Sequence, residues 1–223
     1  MPSIKLLVSD FSESYREVVK VILTNSITLN RDAFRFNAAT LMPSFGMTRR
    51  GAFYGLRIAD GVIRDPNHAL DICWTQVSDE LQDLKKYINK NTSNRSRAIL
   101  GLSPGSRNHV IGIASQLFEK LKWTSVKGSD VGRVGASKIL FAVLPEIALP
   151  VDTAEWNYVF RTDNYGSVLS TMIDETKEWE GKTKTPFESL DSPPTTIPSI
   201  YNVMAMNARP KTGAGRRSKD SQF

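Results

Sequence analysis

Lys138 and Asp152 are the two side chains whose types and settings suit chemistry best in this sequence. Lys138 lies in an apolar run that predicts a short helix from Arg133 to Leu144. An amine among apolar neighbours can have a lowered pKa and act as a nucleophile. More often, such a lysine extends to solvent or contacts a phosphate. Both uses of Lys138 stay open at this point.

Asp152 follows a proline-bounded loop and opens a second predicted helix. The residues from Asp152 to Glu155 match a capping box, in which the aspartate accepts from helix amides and the glutamate reaches back. Such a cap contributes about 0.5–2 kcal/mol, which is a sufficient reason for an aspartate here. A carboxylate at a helix start can also activate water or stabilise a developing positive charge. The two interpretations of Asp152 are compatible.

The stretch DVGRVGASKIL, followed by PVDT at residues 150–153, resembles the helix-hairpin-helix DNA glycosylase superfamily, of the endonuclease III and adenine-mismatch type. In that family, a hairpin of the form L-P-G-V-G precedes a helix beginning R-x-x-A, and V-D-T follows at the mouth of the base pocket. The separation of the two motifs here is similar to the family's. The L-P-G part is replaced by the run from Lys127 to Asp130, and Val134 stands where bifunctional members have a Schiff-base lysine.

The resemblance implies a DNA-binding protein and, through Asp152, a monofunctional base-excision enzyme of the glycosylase type. Asp152 would stabilise oxocarbenium character at C1′, or activate water, after a base has been flipped out of the duplex. Val134 argues against the lyase branch, and Lys138 one turn later is the remaining candidate amine. No cofactor is expected. The alternative is a non-catalytic nucleic-acid-binding or assembly protein of a restriction, viral or mobile-element system, and a third class is an interaction protein that binds no DNA.

Phosphate contacts are expected where the hairpin meets the following helix, because backbone N–H groups near a helix N-terminus attract anions. Lys138 is expected at the DNA face. Two arginines of the C-terminal tail, Arg216 and Arg217, are expected to add electrostatic attraction, although a solvated tail is an equal alternative. The residues expected around the phosphate are Lys127, Gly128, Val131, Gly132, Arg133 and Gly135.

Composition narrows the class of protein. The 223 residues are 40% hydrophobic, enough for one substantial core, and carry a formal charge of +6 with a sequence pI of about 9.4. This charge favours a polyanionic partner. Cys73 is the single cysteine, so no intramolecular disulfide forms, and the spacing of a zinc site is missing. No apolar run approaches the length of a membrane span, and an intracellular location is expected, in cytoplasm, nucleoid or nucleus.

Apolar residues recur at helical spacing through most of the chain, which predicts a mainly α fold with little or no sheet. The helices are expected to surround a helix-hairpin-helix-like element. Residues 1–208 are expected to form one domain, with a candidate linker near 89–97 that could divide it into two lobes. Residues 209–223 are expected to be a flexible basic tail, because glycines alternate there with cations.

A glycine-rich segment, residues 43–66, interrupts the helical pattern and predicts an irregular or hairpin-like region. Its arginines alternate with aromatic residues, a composition that suits binding to single strands or flipped bases. The competing interpretation, which we favour, is a loop that packs its aromatic rings inward and solvates its arginines. The aromatic residues in question are Phe45, Phe53 and Tyr54, and the arginines are Arg49, Arg50 and Arg57.

Overall fold

A computed structural model describes residues 13–190 and 196–209, and this part of the chain is mainly helical, as predicted. The α-helices are α1 (Glu13–Asn25), α2 (Arg31–Ser44), α3 (Ala69–Asn91), α4 (Ala98–Gly101), α5 (Pro104–Lys122), α6 (Gly132–Val143), α7 (Tyr165–Thr183) and α8 (Ile197–Asn207). A π-helix spans Glu155–Phe160, and 3₁₀ helices span Gly51–Phe53, Arg95–Arg97 and Phe187–Leu190.

Sheet structure in the described ranges is limited to two short antiparallel hairpins. The first pairs β1 (Arg57–Ala59) with β2 (Val62–Arg64), and the second pairs β3 (Ser125–Val126) with β4 (Ser129–Asp130). Each closes through a residue with positive φ followed by glycine, at Asp60-Gly61 and Lys127-Gly128. Two-residue hairpins favour this pair, because both central residues of a type I′ turn need positive φ.

Helix starts follow the usual capping chemistry. The Asn30 side chain accepts a hydrogen bond from the Ala33 amide, 2.8 Å away, at the start of α2. Ser103 caps α5, its side chain accepting a hydrogen bond from the Ser106 amide, and Pro104 occupies the first helical position. The rigid φ of proline already suits the first turn of a helix, which places the cap one residue before it.

Helix α6 lies at the centre of the core. All side chains from residue 136 to the end of α6 are buried, and so are those of the following loop up to Val151. Helices α2 and α5 pack directly against α6, and α7 packs against α5. Because its whole circumference is covered, α6 presents only its N-terminal turn to the surface.

The candidate linker is held to the body of the protein by arginines. Arg95 pairs with Glu146 and donates to the Leu23 carbonyl, 2.6 Å away. Arg97 pairs with two glutamates, Glu180 at 2.6 Å and Glu188 at 2.7 Å. Residues 95–97 therefore connect α1, the loop after α6, and α7.

Candidate functional site

Ser137 brings the loop that carries Asp152 against helix α6. Its hydroxyl accepts a hydrogen bond from the Val151 amide at 3.0 Å and donates to the Val151 carbonyl at 3.2 Å. The next residue along each segment is Lys138 on α6 and Asp152 in the loop. These two meet as an ion pair between Lys138 Nζ and Asp152 Oδ1.

Lys138 is a buried cation. Its side chain is 1% exposed, and Nζ lies 4.0 Å from the centroid of the Phe45 ring. Burial lowers the pKa of the Lys138 amine from its ordinary value, and the charge of Asp152 opposes this effect. The ammonium donates to Asp152 and therefore has no free lone pair for nucleophilic attack. The Lys138 amine, which was expected at a DNA face, is enclosed in the interior.

Two further charged groups complete the cluster around Asp152. Glu155 Oε2 accepts a hydrogen bond from the Asp152 amide. Arg209 follows α8 and places Nη2 at 2.9 Å from Asp152 Oδ2 and Nε at 3.0 Å from Glu155 Oε1. Burial raises the pKa of the Glu155 carboxyl, and hydrogen bonding to Arg209 opposes this rise.

The predicted capping box forms only in part. Glu155 reaches back to the Asp152 amide, as the pattern predicts. The Asp152 carboxylate does not cap the helix, because its two oxygens bind Lys138 and Arg209. The helix that it opens continues as the π-helix Glu155–Phe160. π-helical segments are rare and are frequent at functional sites.

Asp152 is the more accessible of the two carboxylates in this cluster. Its side chain is 30% exposed, whereas Glu155 is 1% exposed. The two ion pairs with cations fix the orientation of the Asp152 carboxylate. The arrangement therefore suits electrostatic stabilisation of a positive charge, provided that the charge can approach the side occupied by Arg209.

The hairpin residues predicted to contact a phosphate separate into surface and interior groups. Lys127 and Gly128 form the exposed turn between β3 and β4, and Lys127 Nζ donates to the Pro66 carbonyl at 2.9 Å. Gly132, with φ of +70°, begins α6, and Arg133 follows it at the surface; both are half-buried. Arg216 and Arg217 lie outside the described residues.

Val131 and Gly135 belong to the interior group. Val131 is 5% exposed, and its amide donates to the Thr124 carbonyl at 3.0 Å, closing the base of the hairpin. A Cβ at Gly135 would lie 2.9 Å from Val131 Cγ1 and 3.0 Å from Phe53 Cε2. Close packing therefore accounts for the glycine at this position.

An open cavity of about 490 Å³ adjoins the start of α6. Arg133 lines it and is held there by Asp163 and by the Asn157 side-chain oxygen, 2.7 Å away. The Arg133 guanidinium lies 5.7 Å from the Trp156 ring centroid. The lining residues are Arg133, Trp156, Asn157, Arg161, Thr162 and Asp163. Asp152 is not among them, so the cavity and the Asp152 cluster are separate features.

Searches of this chain against protein-family models, characterised proteins and solved structures found no match. In the described ranges, no group of histidine, cysteine and carboxylate side chains is arranged to hold a metal ion. Helices long and apolar enough to cross a membrane are also missing from these ranges. The residues of the cluster, the hairpin and the cavity are thus the basis for any functional assignment.

Two members of the cluster were not predicted from the sequence. Arg209 was assigned to the basic tail, yet it contacts Asp152 and Glu155. The sequence did offer one signal for this contact. Arg209 lies only two residues beyond the end of α8, so the packing of α8 determines its position. Nothing in the sequence indicated that the Phe45 ring contacts Lys138.

Proposed function

We propose that the chain binds DNA through the phosphate backbone, at a surface formed by the β3–β4 turn, the start of α6 and the adjoining cavity. The observation that carries this proposal is the convergence of cations with a helix N-terminus. Lys127 lies on the exposed turn, and Arg133 lies in the first turn of α6. Arg161, at the end of the π-helix, also lines the cavity.

Phosphate is the ligand that this combination suits. A helix N-terminus offers unpaired backbone N–H groups and a partial positive charge to an anion. No side chain caps α6, whose N-cap residue is Val131, so these N–H groups are not used by a capping oxygen. Contacts of this type orient a duplex without reading its sequence.

Asp152 extends the proposal to monofunctional base excision. In that reaction water adds at C1′, the bond from C1′ to the base nitrogen breaks, and the base leaves with a proton. The Asp152 carboxylate would stabilise the positive charge that develops on the sugar. Its orientation is fixed by the ion pair with the buried Lys138 ammonium. Arg209 would have to move aside for the sugar to approach Oδ2.

DNA binding is tested by fluorescence anisotropy of a labelled duplex over a range of salt concentrations. The variant Lys127→Gln with Arg133→Gln should reduce the log–log salt slope by about 1.8, because each duplex phosphate contact contributes about 0.9. The matched control replaces Lys86 and Lys182 with Gln. These lysines are 75% and 72% exposed and pair with acids on their own helices. An equal slope for variant, control and unmodified chain would refute the proposed surface.

Excision is tested on duplexes that each carry one damaged or mismatched base, under single-turnover conditions. The unmodified chain should release a base from at least one duplex, and Asp152→Asn should abolish release while DNA binding persists. Release by the Asp152→Asn chain at the unmodified rate would refute the catalytic role of Asp152.

A second candidate function is non-catalytic nucleic-acid binding. The engagement of both Asp152 oxygens by Lys138 and Arg209 favours it, because such a network is complete without a substrate. Salt-dependent binding to duplex DNA with no excision from a broad panel would identify this function.

A further inference from the structure

We propose that the outer face of the β1–β2 hairpin, together with Tyr54, is a binding surface for single-stranded nucleic acid. This surface is distinct from the hairpin and cavity described above and does not depend on their function. Arg57 on β1 is directly opposite Arg64 on β2, and both are exposed. Opposed residues of an antiparallel pair project to the same face, so two like charges stand side by side.

The arginines of this region differ from most others in the described ranges. Elsewhere, six arginines pair with carboxylates: Arg31, Arg35, Arg95, Arg97, Arg133 and Arg209. Four arginines of residues 43–66 form no salt bridge within the described part of the chain, and all four are exposed: Arg49, Arg50, Arg57 and Arg64. A like-charge pair that opposes hairpin formation, in a segment without carboxylate partners, is suited to an external polyanion.

Tyr54 supplies an aromatic ring beside these charges. Its side chain is 61% exposed, whereas the neighbouring Phe53 is 1% exposed and packs in the core. The Arg57 guanidinium donates to the Gly55 carbonyl at 3.3 Å, which brings a cation next to the residue that follows Tyr54. The predicted inward packing of the aromatic residues therefore holds for Phe53 and fails for Tyr54.

The backbone around Tyr54 is fixed before any ligand binds. The Asn67 side chain donates to the Ala52 carbonyl at 3.0 Å, and the Gly55 amide donates to the Thr48 carbonyl at 3.0 Å. Gly55 has φ of +76°, and an added Cβ there would lie 2.9 Å from Pro66 Cγ. An exposed ring on an ordered loop loses little conformational entropy on binding, which favours its use as a stacking platform.

Single strands fit this surface better than duplexes. The bases of a duplex are stacked on one another, whereas an unpaired base offers a free face to an aromatic ring. Arg57 on β1 and Arg64 on β2 can both contact phosphates of one nucleic-acid strand. DNA and RNA single strands share this chemistry, and the experiment uses both.

The test measures anisotropy of labelled oligothymidine and oligouridine of about twelve nucleotides across a salt series. Replacing both Arg57 and Arg64 with Gln should lower the salt slope by about 1.4, since each single-strand phosphate contact contributes about 0.7. Tyr54→Ala should weaken binding about tenfold, the loss of roughly one stacked base. The Lys86 and Lys182 double variant described above is the control and should match the unmodified chain. Far-UV circular dichroism checks that each variant folds.

Several results would overturn this inference. They are no binding of either single strand at low salt, unchanged binding in both the Tyr54→Ala and the double-arginine variants, and equal affinity for polyglutamate of matched charge. The duplex measurement keeps the two proposals apart. If the unmodified chain binds single strands but not the duplex, the proposed function alone is refuted. If it binds the duplex but not single strands, this inference alone is refuted.

Discussion

Asp152→Asn should destabilise the folded protein, independently of any effect on catalysis. The substitution removes the carboxylate that pairs with Lys138, whose side chain is 1% exposed. The ammonium then stays in the interior, stabilised by the Phe45 ring, 4.0 Å from its centroid, and by the charge of Glu155. An unpaired buried charge is among the most costly changes a core can carry.

The size of the effect follows from the burial of each partner. Removing one partner of a buried ion pair costs about 3–5 kcal/mol. The amide oxygen of the new side chain can still accept a hydrogen bond, and a cation–π contact contributes about 0.5–2 kcal/mol, so about 2–3 kcal/mol is expected. Lys138→Met should cost only about 1 kcal/mol, because Asp152 is 30% exposed and keeps Arg209. The double variant should fall within about 1 kcal/mol of the unmodified chain, because no charge is then left unpaired.

The stability deficit of Asp152→Asn should depend on pH in a definite direction. Burial already lowers the pKa of Lys138, and the loss of Asp152 lowers it further, because the attraction that opposes burial is removed. Between this lowered pKa and the ordinary value of 10.5, the unfolded chain binds a proton that the folded chain has released. The free energy of unfolding therefore rises with pH in this window. The stability deficit of Asp152→Asn should therefore shrink as the pH is raised from neutral to about pH 9.5.

Urea unfolding of the four chains at pH 7 and pH 9.5, followed by circular dichroism, measures these energies. The two single variants and the double variant form a double-mutant cycle with the unmodified chain. A loss below about 0.5 kcal/mol for Asp152→Asn, or a deficit that grows with pH, would refute the assignment of Lys138 as a buried charge dependent on Asp152. The double variant is also the fold-matched chain for the excision assay, because it lacks the carboxylate without leaving Lys138 unpaired.

Two other substitutions test the packing around the site. Glu146→Gln should cost about 3 kcal/mol in urea unfolding, because the Glu146 side chain is 1% exposed and pairs with Lys85 at 2.6 Å; a cost below about 1 kcal/mol would contradict this role. Gly135→Ala should cost about 1–3 kcal/mol by overpacking, since the new Cβ would lie 3.0 Å from Phe53 Cε2. Gly112→Ala on α5 is its control and should raise stability by about 0.5–1 kcal/mol, because no atom lies within 4 Å of the added group.

The helices were predictable because their apolar residues recur at helical spacing over long stretches. Helix α3 spans 23 residues, and its buried side chains include Val77, Leu81, Leu84 and Ile88, which follow one face. Caps were less certain, as Ser103 shows. Both Ser103 and Ser106 are acceptable caps by type, and only the adjacent Pro104 distinguishes them.

The charged cluster could be predicted only in part. Asp152 and Glu155 are close in sequence, so a capping pattern captures their contact. Lys138 and Asp152 are 14 residues apart, and they meet because Ser137 binds the backbone of Val151. This bridge depends on how the intervening apolar loop packs, which the identity of its residues does not specify.

The opposite directions of the Tyr54 and Phe53 side chains could also not be predicted from the sequence. The segment around them lacks the regular alternation that would assign one side chain to the core and the other to solvent. Their directions are set by the 3₁₀ turn at Gly51–Phe53 and by the hydrogen bonds of Asn67. Both are tertiary features of a loop, and sequence periodicity does not describe them.

The pair between Asp152 and Arg209 spans 57 residues and joins the centre of the protein to the end of α8. During synthesis, α6 and Asp152 precede α8, so Lys138 is the first of the two cations available to Asp152. The nascent chain can form the Lys138 pair while the outer oxygen of Asp152 faces water. The contact of Arg209 with Asp152 and Glu155 needs α8 in place, so it is a marker for the docking of α8.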